Sequence, residues 1–329
     1  MAGPLSSERS AGDRPNPPPP LGVEVWRGGV NTWECDEMGH MNVRFYLARA
    51  MEGLASLAAR LGMPDAFAPH AESTLIVQEH HLRFLREARA GDPLHMTGGV
   101  VQLDDTGATL LLVLVHSRTG VPAATMITRV LHARPRDGRG FGWPRRTAAA
   151  AAGLAVEIPD YAAPRSIDAG GAAPLAGLAA STAGLTEIAR GVIMPAHVDI
   201  FGRMRPDEFI GRVSDGVPAL LRGIREAVAA AAAEPPQRVG GAVLEYRLSY
   251  LDWPRCGDHV AIRSGLAGHD DKTQRVGHWM VDPLDGAPWA FAEAVAVSFD
   301  LDTRKIIPIA EAARPLLDAH VRPDLRFTA

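Results

Sequence analysis

Hydrophobic and polar positions follow two periods along this chain, and each period occurs twice. Leu47, Met51, Leu54, Ala58 and Leu61 recur every three or four residues, which sets them on one stripe and predicts a helix over residues 43–61. Gly62 and Pro64 stop it. Leu220, Leu221, Ile224 and Val228 form a second stripe in a helix predicted over 206–233, which Pro235 and Pro236 end. Residues 23–34 and 185–194 read as short strands ahead of the helices. Behind them, "ATLLLVLVHS" from Ala108 is an unbroken apolar run that suits a strand covered on both faces. "ATMITRVLHAR" and "AFAEAVAVSFD" alternate as half-covered antiparallel strands do, and "SRTG" and "PLDG" are hairpin turns at matching places. The pattern predicts an α+β architecture, each unit an antiparallel sheet wrapped around one long helix.

The second half repeats the first. "HLRFLREARAGDPLHM" from His81 aligns with "RLSYLDWPRCGDHVAI" from Arg247, an offset of 166. "DEMGHMNVRFY" from Asp36 aligns with "DIFGRMRPDEF" from Asp199, an offset of 163. Two anchors in the same order at nearly one offset point to a duplication. Residues 21–135 and 179–310 are then the two units. Residues 136–178, rich in Ala, Gly and Pro, are a connector over the surface with a short helix near 146–154. Residues 1–20, with five prolines between Pro15 and Pro20, read as a disordered tail, and 311–329 as a C-terminal tail.

Composition narrows the partners. The chain has 329 residues, 47% hydrophobic and 22% charged, enough for two cores. A net charge of -4 and the lack of a basic tail argue against nucleic acid, and no apolar run is long enough to span a bilayer. Two cysteines, Cys35 and Cys256, argue against a disulfide scaffold and fit a reducing cytoplasm, the expected location. His80 and His81, neighbours on a strand, face opposite ways and so share no metal.

The chemistry gathers just before the first helix, where Asp36, Gly39, His40 and Asn42 stand within seven positions. A carboxylate there can activate water or attack a carbonyl itself, while free amides at a helix N-terminus polarise that carbonyl. The plainer reading is that Asp36 caps the helix. The pattern Asp36-x-x-Gly39-His40-x-Asn42-x-x-x-Tyr46, with Glu52 further along the helix, resembles the hotdog-fold thioesterases of the 4-hydroxybenzoyl-CoA thioesterase and acyl-ACP thioesterase type. The resemblance implies a tandem double hotdog, hydrolysis of an acyl thioester of coenzyme A or acyl carrier protein, and a site at the seam between units. It implies neither metal nor cofactor.

Carried over, Asp36 is the catalytic carboxylate, the amides around Asn42 and Val43 are oxyanion donors, His40 and Asn42 orient water or carbonyl, and Glu52 is an assisting acid. Gly39 permits a tight turn and close substrate approach, and Tyr46 packs beside the site. Arg86, Arg89 and Arg255 are candidates for carrier phosphates or a solvated rim.

The second copy keeps Asp199 and Gly202 but has Arg203 for the His and Arg205 for the Asn, with His197 where Glu34 stands. One working site per chain is the expectation, and a dimer of double units is plausible. The rival readings are a hotdog enoyl-CoA hydratase or dehydratase, disfavoured because no proline follows Asn42, and a non-catalytic acyl-CoA-binding module.

Overall fold

The computed structural model describes residues 21–176, 178, 182–232 and 236–328, so the expected disordered tail, 1–20, lies outside the described residues. The first half forms β1 (Val23–Gly29), α1 (Val43–Arg60), β2 (Thr74–Phe84), β3 (Pro93–Leu103), β4 (Gly107–His116) and β5 (Pro122–Ala133). After the short α2 (Arg145–Ala152), the second half forms β6 (Thr186–Val192), α3 (Pro206–Ala230), β7 (Val239–Tyr250), β8 (His259–His269), β9 (Thr273–Val281) and β10 (Pro288–Asp300), followed by α4 (Arg314–Asp318).

All ten strands join one antiparallel sheet in the order β1-β3-β4-β5-β2-β7-β10-β9-β8-β6. The halves meet where β2 pairs with β7, and His81 lies opposite Arg247. These two residues are also equivalents in the repeat, so a pseudo-twofold axis passes between them.

The helices pack on one face of this sheet and on each other. Asn42 caps α1, its side chain accepting the Arg44 N–H at 3.0 Å, and Leu47, Leu54 and Leu57 turn into the core. Arg44 crosses to α3, where it pairs with Asp207 at 3.6 Å and with Glu208. Gly211 permits that crossing, since a Cβ there would come within 2.9 Å of the Arg44 side chain. Pro206 opens α3 at its first position, where its missing N–H costs nothing, and Pro218 lies inside the helix.

The outer face is covered too, by the segments expected to be connector and tail. Val156, Ile158 and Ala162 cover Leu111, Val113 and Val115, which is why β4 is apolar on both sides. Leu325 and Phe327 do the same for Trp279, Phe291 and Val295. The two segments also pair with each other, Ala172 against Thr328. Apolar residues spaced among small ones make these segments part of the core rather than a surface linker and a loose end. Among the described residues no helix is long and apolar enough to cross a membrane.

A buried polar network locks the connector at the pseudo-axis. His80 turns inward to the Tyr250 hydroxyl at 3.0 Å, and His81 turns outward to Glu245 at 2.8 Å. Glu245 also accepts the N–H groups of Arg165, Ser166 and Ile167 at 3.0, 2.8 and 3.3 Å. Burial opposes ionisation of Glu245, but His81 and these backbone donors outweigh it and hold the carboxyl at about 2, against an ordinary 4.5. A depressed carboxyl pKa stabilises the fold above the unfolded value and loses that contribution as pH falls towards the folded one. Glu245→Gln is therefore expected to lower stability by about 3 kcal/mol at pH 7. Denaturant unfolding at stepped pH should show the difference from wild type shrinking between pH 4.5 and 2.

Candidate active site

Asp36 closes its own turn. Its N–H donates to the His40 carbonyl at 2.8 Å, and its Oδ1 accepts the N–H groups of Met38 and His40 at 2.9 and 3.1 Å. Gly39 takes φ +76°, the left-handed backbone that favours glycine, and faces solvent; a Cβ there would meet no protein atom within 4 Å. The helix cap belongs to Asn42. Asp36 Oδ2 makes no hydrogen bond among the described residues, and the side chain lines a cavity.

That cavity, of about 1120 Å³, lies between the two halves. The first half contributes Asp36, His40, Asn42, Val43 and Tyr46, and the second Ser214, Val217, Gly241, Tyr246 and His278. It opens beyond the last rung of the β2–β7 ladder, Arg83 opposite Glu245, where Phe84–Arg89 and Gly240–Leu244 part. It runs into the second half because side chains there have shrunk. Gly241 stands where the repeat has Leu75, Ala296 where it has Val130, and Val217 where it has Leu54.

One main-chain donor is left over at the start of α1. The Asn42 N–H is spent on the Glu34 carbonyl at 2.8 Å, the Met41 N–H on Ala88 at 2.8 Å, and the Arg44 N–H on the Asn42 side chain. The Val43 N–H has no acceptor among the described residues, and Val43 lines the cavity. Asn42 Nδ2 donates across the seam to Ser214 Oγ at 3.0 Å, so α3 holds the cap in place.

His40 is 7% exposed, and its Nε2 stands 3.1 Å from Glu87, which pairs in turn with Arg304. Burial pushes the imidazole below its ordinary value, against the opposing pull of Glu87. Tyr46 is buried with its hydroxyl accepting the Ala88 N–H at 3.3 Å, and burial raises it to about 12. It packs edge-on against Phe84.

Glu52 is not part of this group. Its side chain, 51% exposed, pairs with Arg49 at 2.5 Å and accepts from the Trp26 indole at 2.9 Å, outside the cavity. Six positions beyond Tyr46 it has turned about 240° round the helix, away from the cleft. Arg86 and Arg89 line the cavity, whereas Arg255 does not and stands beside Arg134, Arg136 and Phe201 in a shallow depression of about 450 Å³. Glu87 and Arg304 are absent from the sequence reading, and nothing local marks Arg304, 264 positions from His40.

The second copy repeats the turn without the openings. Asp199 accepts the N–H groups of Phe201 and Arg203 at 2.8 and 2.9 Å, but the Arg203 guanidinium also lies 3.2 Å from its free oxygen. Where Val43 offers an N–H, Pro206 has none. Where Glu87 stands, the second copy has Trp253, stacked on Tyr250 at 4.7 Å and edge-on to Phe209. His197 takes the Met194 N–H at 3.0 Å and meets Arg212, the duty that Glu34 performs for Asn31 and Arg49. It is a cap, not a reactive group.

Solved structures share this fold over most of the chain. A Lactobacillus plantarum protein assigned as an oleoyl thioesterase matches with a TM-score of 0.64 at 12% identity, over 84% of this chain and 97% of its own. The 12:0-ACP thioesterase of Umbellularia californica matches at 0.59 and 10% identity, over 83% and 93%. An acyl-ACP thioesterase of Bacteroides thetaiotaomicron matches at 0.58 and 9%, over 82% and 96%. At these identities the likeness shows the fold. The family model of the thioesterase-like superfamily matches residues 30–160 and again 193–317, and the chain belongs to that superfamily. None of the curated proteins matches the sequence.

The cap across the seam is open to a direct check. Asn42→Ala should cost about 1 kcal/mol of stability in denaturant unfolding, and Ser214→Ala less than half of that, because it leaves the Arg44 N–H capped. Equal losses in the two variants would contradict the division of roles.

Proposed function

We propose that the protein hydrolyses acyl thioesters of coenzyme A or acyl carrier protein in the cleft between its halves, residues 21–135 supplying the reacting groups and 179–310 the acyl pocket. The observation that carries this reading is that Asp36, with one oxygen uncommitted, and Val43, with an uncommitted N–H, line the same cavity. A carboxylate and an oxyanion donor are the two groups that attack on a thioester carbonyl needs.

Asp36 takes a proton from water as the oxygen adds to the carbonyl carbon. The carbonyl oxygen becomes negative against the Val43 N–H and the positive end of α1. Collapse of the tetrahedral intermediate breaks the carbon–sulfur bond, and the proton held by Asp36 neutralises the departing thiolate. The products are a carboxylic acid and a thiol. In the variant route Asp36 attacks the carbonyl carbon and expels the thiolate; water then cleaves the mixed anhydride to the carboxylic acid and the Asp36 carboxylate, and the proton it releases goes to the thiolate. His40, held by Glu87, and Asn42, held by Ser214, border the reacting group and orient water or carbonyl. The acyl chain runs among Val213, Val217, Leu221, Val276 and Ala294, while Arg86 and Arg89 at the rim face the carrier.

Thiol release across a panel of acyl-CoAs tests the reading. Wild type should turn over at least one substrate, Asp36→Asn should lose about 10³-fold in kcat, and Asp199→Asn should stay within about twofold. Loss confined to the Asp199 variant would reverse the assignment of the two copies. Wild type that binds acyl-CoA but releases no thiol from any of them would favour the binding-module reading.

A further inference from the structure

The cavity holds a charge that hydrolysis does not use. Arg225, on the second half of α3, lines the same space as Asp36. Among the described residues its guanidinium makes no hydrogen bond and no ion pair. Glu37 is the acid whose field reaches it, from beyond ion-pair distance. The other inner-rim cations are matched: Arg304 and Arg89 pair with Glu87, and Arg238 with Asp302 at 3.1 Å. Arg86 is unpaired but exposed, where water solvates it. Arg225 is only partly reached by water, and burial pushes its guanidinium below the ordinary value. A cation withdrawn from water without a counter-charge is destabilising, so folding alone gives no reason for it.

The repeat shows how the charge was accommodated. At the place of Arg225 the first copy has Gly62, the residue that ends α1, and at the place of Gly241 it has Leu75, fully inside the core. A Cβ on Gly241 would lie 2.5 Å from Arg225 Cζ, so the guanidinium occupies the space that a side chain there would fill. Both changes occur only in the second copy, where they line the cavity. They act together, one bringing the cation and the other making room for it.

We propose that Arg225 is the counter-charge for an anionic group of the thioester substrate, either a carboxylate at the far end of the acyl group or a phosphate of the carrier. This rests on the thioesterase reading of the cavity. Ser214, which touches Asn42, and Arg225 are eleven residues apart on α3, about 16 Å of helix axis. The anion therefore lies well away from the thioester carbon, at a distance that suits a long ω-carboxyacyl chain or the phosphate end of a pantetheine arm, and not a short dicarboxylic group.

Calorimetric titration of the full chain with three inert thioethers separates the sources: a coenzyme A thioether ending in carboxylate, its methyl-terminated counterpart of equal length, and the carboxylate-terminated thioether of pantetheine, which has no phosphate. Arg225→Met should weaken binding by about tenfold or more. The loss falls on the two carboxylate-terminated ligands if the anion is acyl, and on the two coenzyme A ligands if it is the carrier's phosphate. Arg225→Lys, which keeps the charge and loses the fork, should be intermediate. The Met variant should melt no lower than wild type without ligand, because an unpaired charge has gone. A Met variant that binds all three ligands as wild type does, or a wild type that binds none, overturns the proposal. Thiol release by wild type is scored separately. Hydrolysis with no dependence on Arg225 sinks the anion site alone, and Arg225-dependent binding without hydrolysis sinks the thioesterase reading alone.

Discussion

The ladder between β2 and β7 fixes where everything else in the molecule can stand. Five rungs, from Glu79 opposite Ser249 to Arg83 opposite Glu245, turn two separate sheets into one and set the halves about a pseudo-twofold axis. With that register, α1 and α3 pack together, Arg44 meets Asp207 and Glu208, and Asp36 lines the cavity between the halves. Slipping the ladder by one residue would turn His80 outward and His81 inward, exchanging a histidine that fits the core for one that needs Glu245. The connector would lose its anchor at the same stroke.

Symmetry of the backbone makes the asymmetry of the side chains informative. The two turns have the same hydrogen bonds and the same left-handed glycine, at Gly39 and Gly202. The aspartate is kept in the second copy, but the groups around it have been altered. Arg203 neutralises Asp199, Pro206 removes the amide, and Trp253 fills the place of Glu87. The size changes run the other way, with Gly241, Ala296 and Val217 lining the cavity while their counterparts Leu75, Val130 and Leu54 are buried in the first half's core. The uncommitted Asp36 oxygen and Val43 N–H belong to the first half, and the smaller side chains to the second.

Much of this was legible in the sequence, for a physical reason. Helix stripes, strand runs and the Asp36–Asn42 turn depend on residues near one another in the chain, and the duplication showed in two fixed offsets. The limits were equally physical. The sequence places Glu52 on α1, but its direction depends on the rotation of the helix, which carries it to Arg49 and Trp26. The covering role of 136–178 was hidden because Val156 and Ile158 are sparse among Ala, Gly and Pro, and only the bare face of β4 gives them a partner. Glu87 and Arg304 reach His40 only through tertiary structure. Pro206 and Trp253 align with Val43 and Glu87, but only the fold places those two residues on a cavity.

The most direct measurement is a crystal structure of the chain with an inert ketone or thioether analogue of an acyl-CoA. The account predicts the analogue in the cleft at the seam, with its carbonyl oxygen or the corresponding atom within hydrogen-bond reach of the Val43 N–H, a carboxylate oxygen of Asp36 facing the reacting carbon, and the acyl chain inside the second half. An analogue seated instead by Asp199 and Trp253, or one lying in the cleft with Asp36 turned away from it, would contradict the account.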